Sequence, residues 1–285
     1  IVLDGENFGA TGRPYGYGST VKTHNRKIYS PISSILWFSA LDTPTQIDTE
    51  GSGSGFINMS THQSGSDTVT AMGIYQQYLA VFSRRVVQIW NMQDDDALNA
   101  SVQTISETGT TAPRSVITFG DVDLFYLSDS GVRSIRARNV VNVAGVNDVG
   151  TPIDSVIRDY AQTLTQAQRD ATVAVVEPVD GRLMIAMGQR IFVFTYFPSK
   201  KISAWSWYEP GLEFTDLVTI NDRVYARAGN TIYIYGGTSN ATYDSSTVTV
   251  ALPFLSGGKP GTFKNFKGFD ISSTGTWACK LLVDP

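Results

Sequence analysis

A three-strand unit recurs along this chain, and its recurrence constrains the fold more than any single motif does. The clearest copy spans residues 115–138, SVITFGDVDLFYLSDSGVRSIRAR. Val116, Ile117 and Phe119 form a first apolar run, residues 124–127 a second, and Val132, Ser134 and Ile135 open a third. Residues 120–123 and Asp129-Ser130-Gly131 lie between them, and Gly and Asp tolerate the backbone angles that turns need. Three strands joined by two tight turns make an antiparallel meander. Similar units begin at positions 68, 171 and 213, with a weaker one at 21, so the steps between copies run from 42 to 56 residues. A β-propeller blade takes roughly 40–50 residues. What recurs is the rhythm of strands and turns, since residue identities differ from copy to copy.

The predicted fold is therefore all-β, a β-propeller of antiparallel meander blades with one inserted helix, followed by the start of a second β domain. The chain has 285 residues, enough for about five to six blades. Hydrophobic residues make up 42% and charged residues 17%, so the composition supports a large core and argues against disorder. No run of about 18 apolar residues occurs, which predicts no membrane-spanning helix. The single cysteine, Cys279, excludes an intrachain disulfide framework.

Residues 1–20 read as a Gly-rich lead-in that opens with Ile1 and carries no leader pattern, so Ile1 is expected to be an internal position of a longer or processed product. Within it, Gly16-Tyr17-Gly18 falls short of a dinucleotide fingerprint, because Val21 stands where the third glycine belongs. The propeller is expected over 21–237. Residues 48–66, with GSGSG at 51–55, read as a connector between blades. Residues 140–150 form a small-residue linker, after which the period changes. Ile153, Val156, Ile157, Tyr160 and Leu164 recur at spacings of three and four, which predicts a helix over 152–171. Thr151 is its expected cap and Pro152 its first residue. Its apolar face is expected to pack on its own domain, with a partner contact as the alternative. Residues 238–285 read as a partial β platform domain, with strands near 248–254, 266–271 and 276–283.

Candidate functional residues are sparse. His24, His62 and Cys279 lack metal-ligand spacing. Asp94-Asp95-Asp96 suits a solvated loop, with calcium as the alternative, and Asp121-x-Asp123 departs from the calcium-loop template at Phe125 and Tyr126. Trp205 and Trp207 lie two apart, on one face of a strand, and with Tyr208 form either a sugar-stacking shelf or a closure of one blade on the next. Glu177, Asp180, Glu209 and Glu213 are the carboxylates available to a glycosidase pair. No nucleophile–base grouping stands out. No catalytic, cofactor-binding or metal-binding residue is assigned, and no enzyme activity is expected.

The order AVFSRRVVQIW (80–90), TFGDVDLFYLSDSGVRSI (118–135), a helix, a meander ending in NTIYIYGG (230–237), and TVALPFLSGGKPGTFKNFKGFDIS (249–272) resembles the tail nozzle or tail hub proteins of short-tailed bacteriophages. These are also called tail tubular protein B or packaged-DNA stabilisation proteins. The resemblance runs from about residue 69 onward and rests on texture. It implies a structural virion protein of the tail and no cofactor. The chain would be one subunit of a homohexameric ring below the portal and adaptor, with other tail proteins as its partners and tail fibres as a further candidate. Genomic DNA would pass through without sequence-specific binding. The balance of 26 acidic to 22 basic residues suits a conduit that does not grip phosphates. The alternative reading is a carbohydrate-binding or carbohydrate-active propeller, either a receptor-binding tail component or a glycosidase.

Overall fold

The computed structural model describes residues 20–47, 53–62, 67–120, 123–136, 148–197, 202–239, 247–251, 268, 270–272 and 274–282. Two compact units emerge, Ile1–Tyr243 and Asp244–Pro285.

Among the described residues, the first unit is a β-propeller of five antiparallel meander sheets. Sheet 1 holds β1 (Lys22–His24), β2 (Lys27–Ile32), β3 (Ile35–Phe38) and β4 (Gly55–Asn58). Sheet 2 holds β5 (Ala71–Tyr75), β6 (Tyr78–Phe82), β7 (Val86–Asn91) and β8 (Ala100–Ser106). Sheet 3 holds β9 (Ile117–Phe119), β10 (Asp123–Ser128) and β11 (Gly131–Ser134). Sheet 4 holds β12 (Val173–Glu177), β13 (Arg182–Met187), β14 (Arg190–Phe197) and β15 (Ile202–Tyr208). Sheet 5 holds β16 (Asp216–Ile220), β17 (Arg223–Ala228) and β18 (Thr231–Ile234). Strand order follows chain order in every sheet, so each is a plain meander. The first strands of successive sheets lie beside one another: β1 by β5, β5 by β9, β9 by β12, and β12 by β16. That succession of inner strands gives the blades their radial order.

Turn chemistry sets the hairpins. Asn25 and Arg26 both have positive φ, as do Asn221 and Asp222. Two successive left-handed residues match the twist of the strands they join. Arg26 also forms an exposed ion pair with Asp42.

Among the described residues, four apolar clusters join the five sheets in succession. Tyr29, Leu36 and Phe38 of sheet 1 meet Met72, Leu79 and Trp90 of sheet 2. Ala80, Phe82 and Ile89 of sheet 2 meet Leu124 and Tyr126 of sheet 3. Phe125 and Val132 of sheet 3 meet Leu183, Phe192 and Phe194 of sheet 4. Val175, Met184 and Val193 of sheet 4 meet Leu217, Val224 and Ala226 of sheet 5. Alternation along each strand sends one set of side chains to each flanking cluster. Full burial of a side chain such as Leu79 or Leu124 contributes about 1.5–3 kcal/mol.

The inserted segment departs from the sequence reading. The expected single helix over 152–171 is two helices, α1 (Asp154–Gln162) and α2 (Gln166–Asp170). Neither Thr151 nor Pro152 starts α1, whose N-cap position is Ile153 and lacks a side-chain cap. The break comes at Thr165, whose hydroxyl caps α2 while the Gln168 side chain reaches back to the Thr165 backbone. This reciprocal cap makes Thr165 a better helix start than a helix interior. The apolar face of α1 packs on its own domain, with Ile153 and Ile157 buried and Val156, Tyr160 and Leu164 packed against the cluster of sheets 3 and 4.

In the second unit the expected strands are absent from the described residues. Residues 247–251 and 274–282 carry no strand pairing, and Val248, Val250, Trp277, Leu281 and Leu282 are exposed. Their alternation was the sequence signal for strands, but alternation makes a strand only where a partner supplies the hydrogen bonds. Residues 252–267 lie outside the described residues.

Candidate functional site

A concavity lies where the turns of sheets 2 and 3 meet the inserted helices. It is about 320 Å3 in volume, with Leu127, Ile157 and Met187 in its walls. Arg84, from the β6–β7 turn, and Asp129, from the β10–β11 turn, form an ion pair across its mouth at 3.2 Å. Arg158 and Arg169, from α1 and α2, also line it.

A buried ionic cluster fixes α1 beside this cavity. Nη1 of Arg133, on β11, donates to the Val132 carbonyl and to Asp154 at the first turn of α1, each at 2.8 Å. Nη2 donates to the Ser130 carbonyl at 2.6 Å. Asp148 stands 3.8 Å from the guanidinium and accepts the Ser134 and Val149 amides. An acidic residue in the first turn also meets the positive end of the helix dipole. At the far end, Nη1 of Arg169 donates to the Ala161 and Leu164 carbonyls at 2.9 and 2.8 Å, satisfying backbone acceptors where α1 ends. The Tyr160 hydroxyl accepts the Gln189 amide at 2.9 Å, and Arg190 stacks 4.3 Å over the Tyr160 ring.

A second polar cluster lies between sheets 1 and 2. Lys27 is buried, donates to the Gly53 carbonyl at 3.0 Å and sits 5.1 Å over the Phe38 ring. Burial lowers its affinity for the proton, while Asp96, Asp94 and Asp95 favour its charge. The triple-aspartate stretch therefore does more than dissolve a loop: Asp95 caps the turn Asp96–Leu98, and the three charges favour the protonated form of Lys27. His24, the cross-strand neighbour of Lys27, has its proton affinity lowered by burial and raised by a backbone bond to Gln77. Burial likewise pushes the Tyr29 phenol up.

The carboxylates considered for a glycosidase pair have separate occupations. Glu177 is buried and accepts the Val179 and Asp180 amides, each at 2.9 Å. Asp180 pairs with Arg182 at 2.7 Å, Glu209 pairs with Arg190 at 2.7 Å, and Glu213 accepts from Gln168 at 3.1 Å. The aromatic trio is also divided. Trp205 donates to the Val149 carbonyl at 2.8 Å and packs on Phe194, closing the face toward sheet 3. Trp207 shares that face but is 44% exposed, and Tyr208 stacks on Tyr235 toward sheet 5. Cys279 is exposed. Gly16-Tyr17-Gly18, Asp121 and the His62 side chain lie outside the described residues. Among the described residues, no three His, Cys, Asp or Glu side chains gather as a metal site, and no helix is long and apolar enough to cross a membrane.

Arg84, Arg158 and Arg169 escaped the sequence reading because they come from three separate elements. Only the polar face of the helix, on which Arg158 lies, could have pointed to one of them.

No family model matches this sequence, and no curated protein does. Solved structures of similar shape include BamB from Moraxella catarrhalis, 12% identical over 73% of this chain and 53% of that one, with a TM-score of 0.43. PorZ of Porphyromonas gingivalis, a surface component of the type-IX secretion system, is 11% identical over 76% of this chain and 26% of that one, with a TM-score of 0.44. The β-propeller domain of Myceliophteria thermophila Cps50 (Swd1) is 11% identical over 80% of this chain and 68% of that one, with a TM-score of 0.45. The chain thus spans about half the length of BamB and a quarter of PorZ. At such scores these likenesses carry no argument about function.

Proposed function

We propose that this chain is a structural virion protein, one subunit of a homohexameric tail nozzle or hub ring that forms the conduit and seal for phage DNA. On this reading it contacts the portal-adaptor assembly and other tail proteins, and DNA passes without sequence-specific binding. The observation that supports a subunit role is an apolar strip that the described residues leave exposed on one face of sheet 5, beside Asp216, Arg223 and Arg227. Val218, Tyr225 and Ile234 lie in register across its three strands, flanked by Ile220 and Ile232. Val218 is 46%, Ile220 51% and Ile232 69% exposed. The opposite face of the same sheet is packed against sheet 4. An apolar strip left exposed among the described residues suits a protein whose neighbour covers it, and a closed ring uses one patch against a different patch on the next subunit. The acidic balance and the sequence resemblance support the placement on a DNA path.

Native mass spectrometry of the full-length protein tests this reading. Six copies are expected, and Ile232→Asp with Val218→Asp should yield folded monomers. A wild-type protein that stays monomeric would overturn it and favour a receptor-binding or carbohydrate-binding role.

A further inference from the structure

We propose that the cavity beneath α1 binds a small organic anion, an apolar body carrying one carboxylate. Its walls and its rim differ in chemistry. Leu127 and Ala161, both half-buried, give the wall its apolar surface, and the buried Ile157 and Met187 also line it. The rim brings three guanidinium groups against the single carboxylate of Asp129. These cations are not equivalent. Arg84 is neutralised by Asp129, and Arg169 spends its Nη atoms on the Ala161 and Leu164 carbonyls and on Gln166. Arg169 therefore contributes field and position. Arg158, one turn along α1 from Asp154, forms no ion pair with a described residue and is exposed at the rim. A planar guanidinium with free donors suits a carboxylate, which it meets through two parallel bonds. One available arginine selects one carboxylate, and Asp129 weighs against a second. A cavity of about 320 Å3 lies at the small end of ligand pockets, which favours a ligand of roughly one ring.

The site is also built to keep its shape. Arg133 pins the start of α1 to sheet 3, and Tyr160 pins its far half to the β13–β14 turn. Arg158 lies between these anchors, so the backbone that carries it is fixed before a ligand binds.

Benzoate is the probe, with benzamide as its neutral isostere. The 13C-methyl signal of Met187, assigned by its loss in Met187→Leu, reports occupancy from inside the cavity. Benzoate should shift this signal saturably, and benzamide should bind at least about tenfold more weakly, the loss expected with a charge-assisted bond. Arg158→Gln should weaken benzoate by about tenfold and leave the other methionine signals unchanged. Gln162→Trp, an exposed rim position, should block binding without touching the core. The proposal is overturned if benzoate does not move the Met187 signal up to about 20 mM, far above a millimolar Kd. It is equally overturned if benzamide binds as well, or if Arg158→Gln binds benzoate as the wild type does.

Discussion

Nη1 of Arg133 lies 2.8 Å from both carboxylate oxygens of Asp154, joining the last strand of sheet 3 to the first turn of the inserted helix. Backbone geometry makes room for this pair. Gly131 has φ of +122°, and a Cβ there would stand 1.9 Å from Asp154 Oδ1. Arg133 and Asp148 are nearly inaccessible, with side chains 8% and 2% exposed. Removing the cation leaves two carboxylates in poor solvent.

Arg133→Ala should therefore destabilise the first unit by about 3–5 kcal/mol, the usual cost of breaking a buried pair from one side. Asp154→Asn should cost less, because Asp148 still faces the guanidinium. Urea unfolding checks both, and hydrogen exchange should show α1 losing protection first. Equal stability of Arg133→Ala and wild type would show that the cluster does not hold the helix.

His24 makes stability pH-dependent. Burial holds its proton affinity below the ordinary value of 6.5, so the unfolded chain binds the proton more readily than the folded one. Its contribution is complete above about pH 6.5 and declines as pH falls toward the folded-state value. The groups facing it are Lys27, which opposes a second cation, Tyr29, and the Gln77 backbone, which favours one. The aspartates at 94–96 favour the protonated form of Lys27. His24→Phe should flatten the decline between pH 7 and pH 5 relative to wild type. Parallel stability curves for the two proteins would remove His24 from this account.

Sheets 2 and 3 meet at a glycine. A Cβ on Gly73 would lie 2.4 Å from Leu124 Cδ1 and 2.7 Å from Val116 Cγ1. Gly73→Ala should cost about 1–3 kcal/mol through overpacking, and Leu124→Ala about 2–5 kcal/mol through a cavity. Because each change relieves the other, the double variant should be less destabilised than the sum. Thermal unfolding of the four proteins completes the cycle, and strict additivity would contradict the packing.

The middle strands were readable because they are sandwiched. Leu79, Val81 and Val87 feed clusters on both sides of sheet 2, so their runs are apolar and their turns polar. The outer strands carry no such signal. β8 has one buried residue, Ile105, and β4 has none, so the sequence suggested no strand over β8 and β4 falls inside the connector expected over 48–66. An edge strand is specified by hydrogen bonds to its neighbour, which sequence periodicity does not record. The helix face was legible from Ile153, Ile157 and Tyr160, whereas its break at Thr165 depended on a capping partner. The cavity was illegible, since Arg84, Arg158 and Arg169 converge only after three elements pack.

The proposed place of this chain on a DNA path is tested most directly by cryo-electron microscopy of the virion that carries it. The account predicts six copies around the axis of the tail, with the Val218–Tyr225–Ile234 face of each covered by a neighbouring subunit. A lone copy at the tip of a fibre, away from the DNA axis and with that face in solvent, would contradict it.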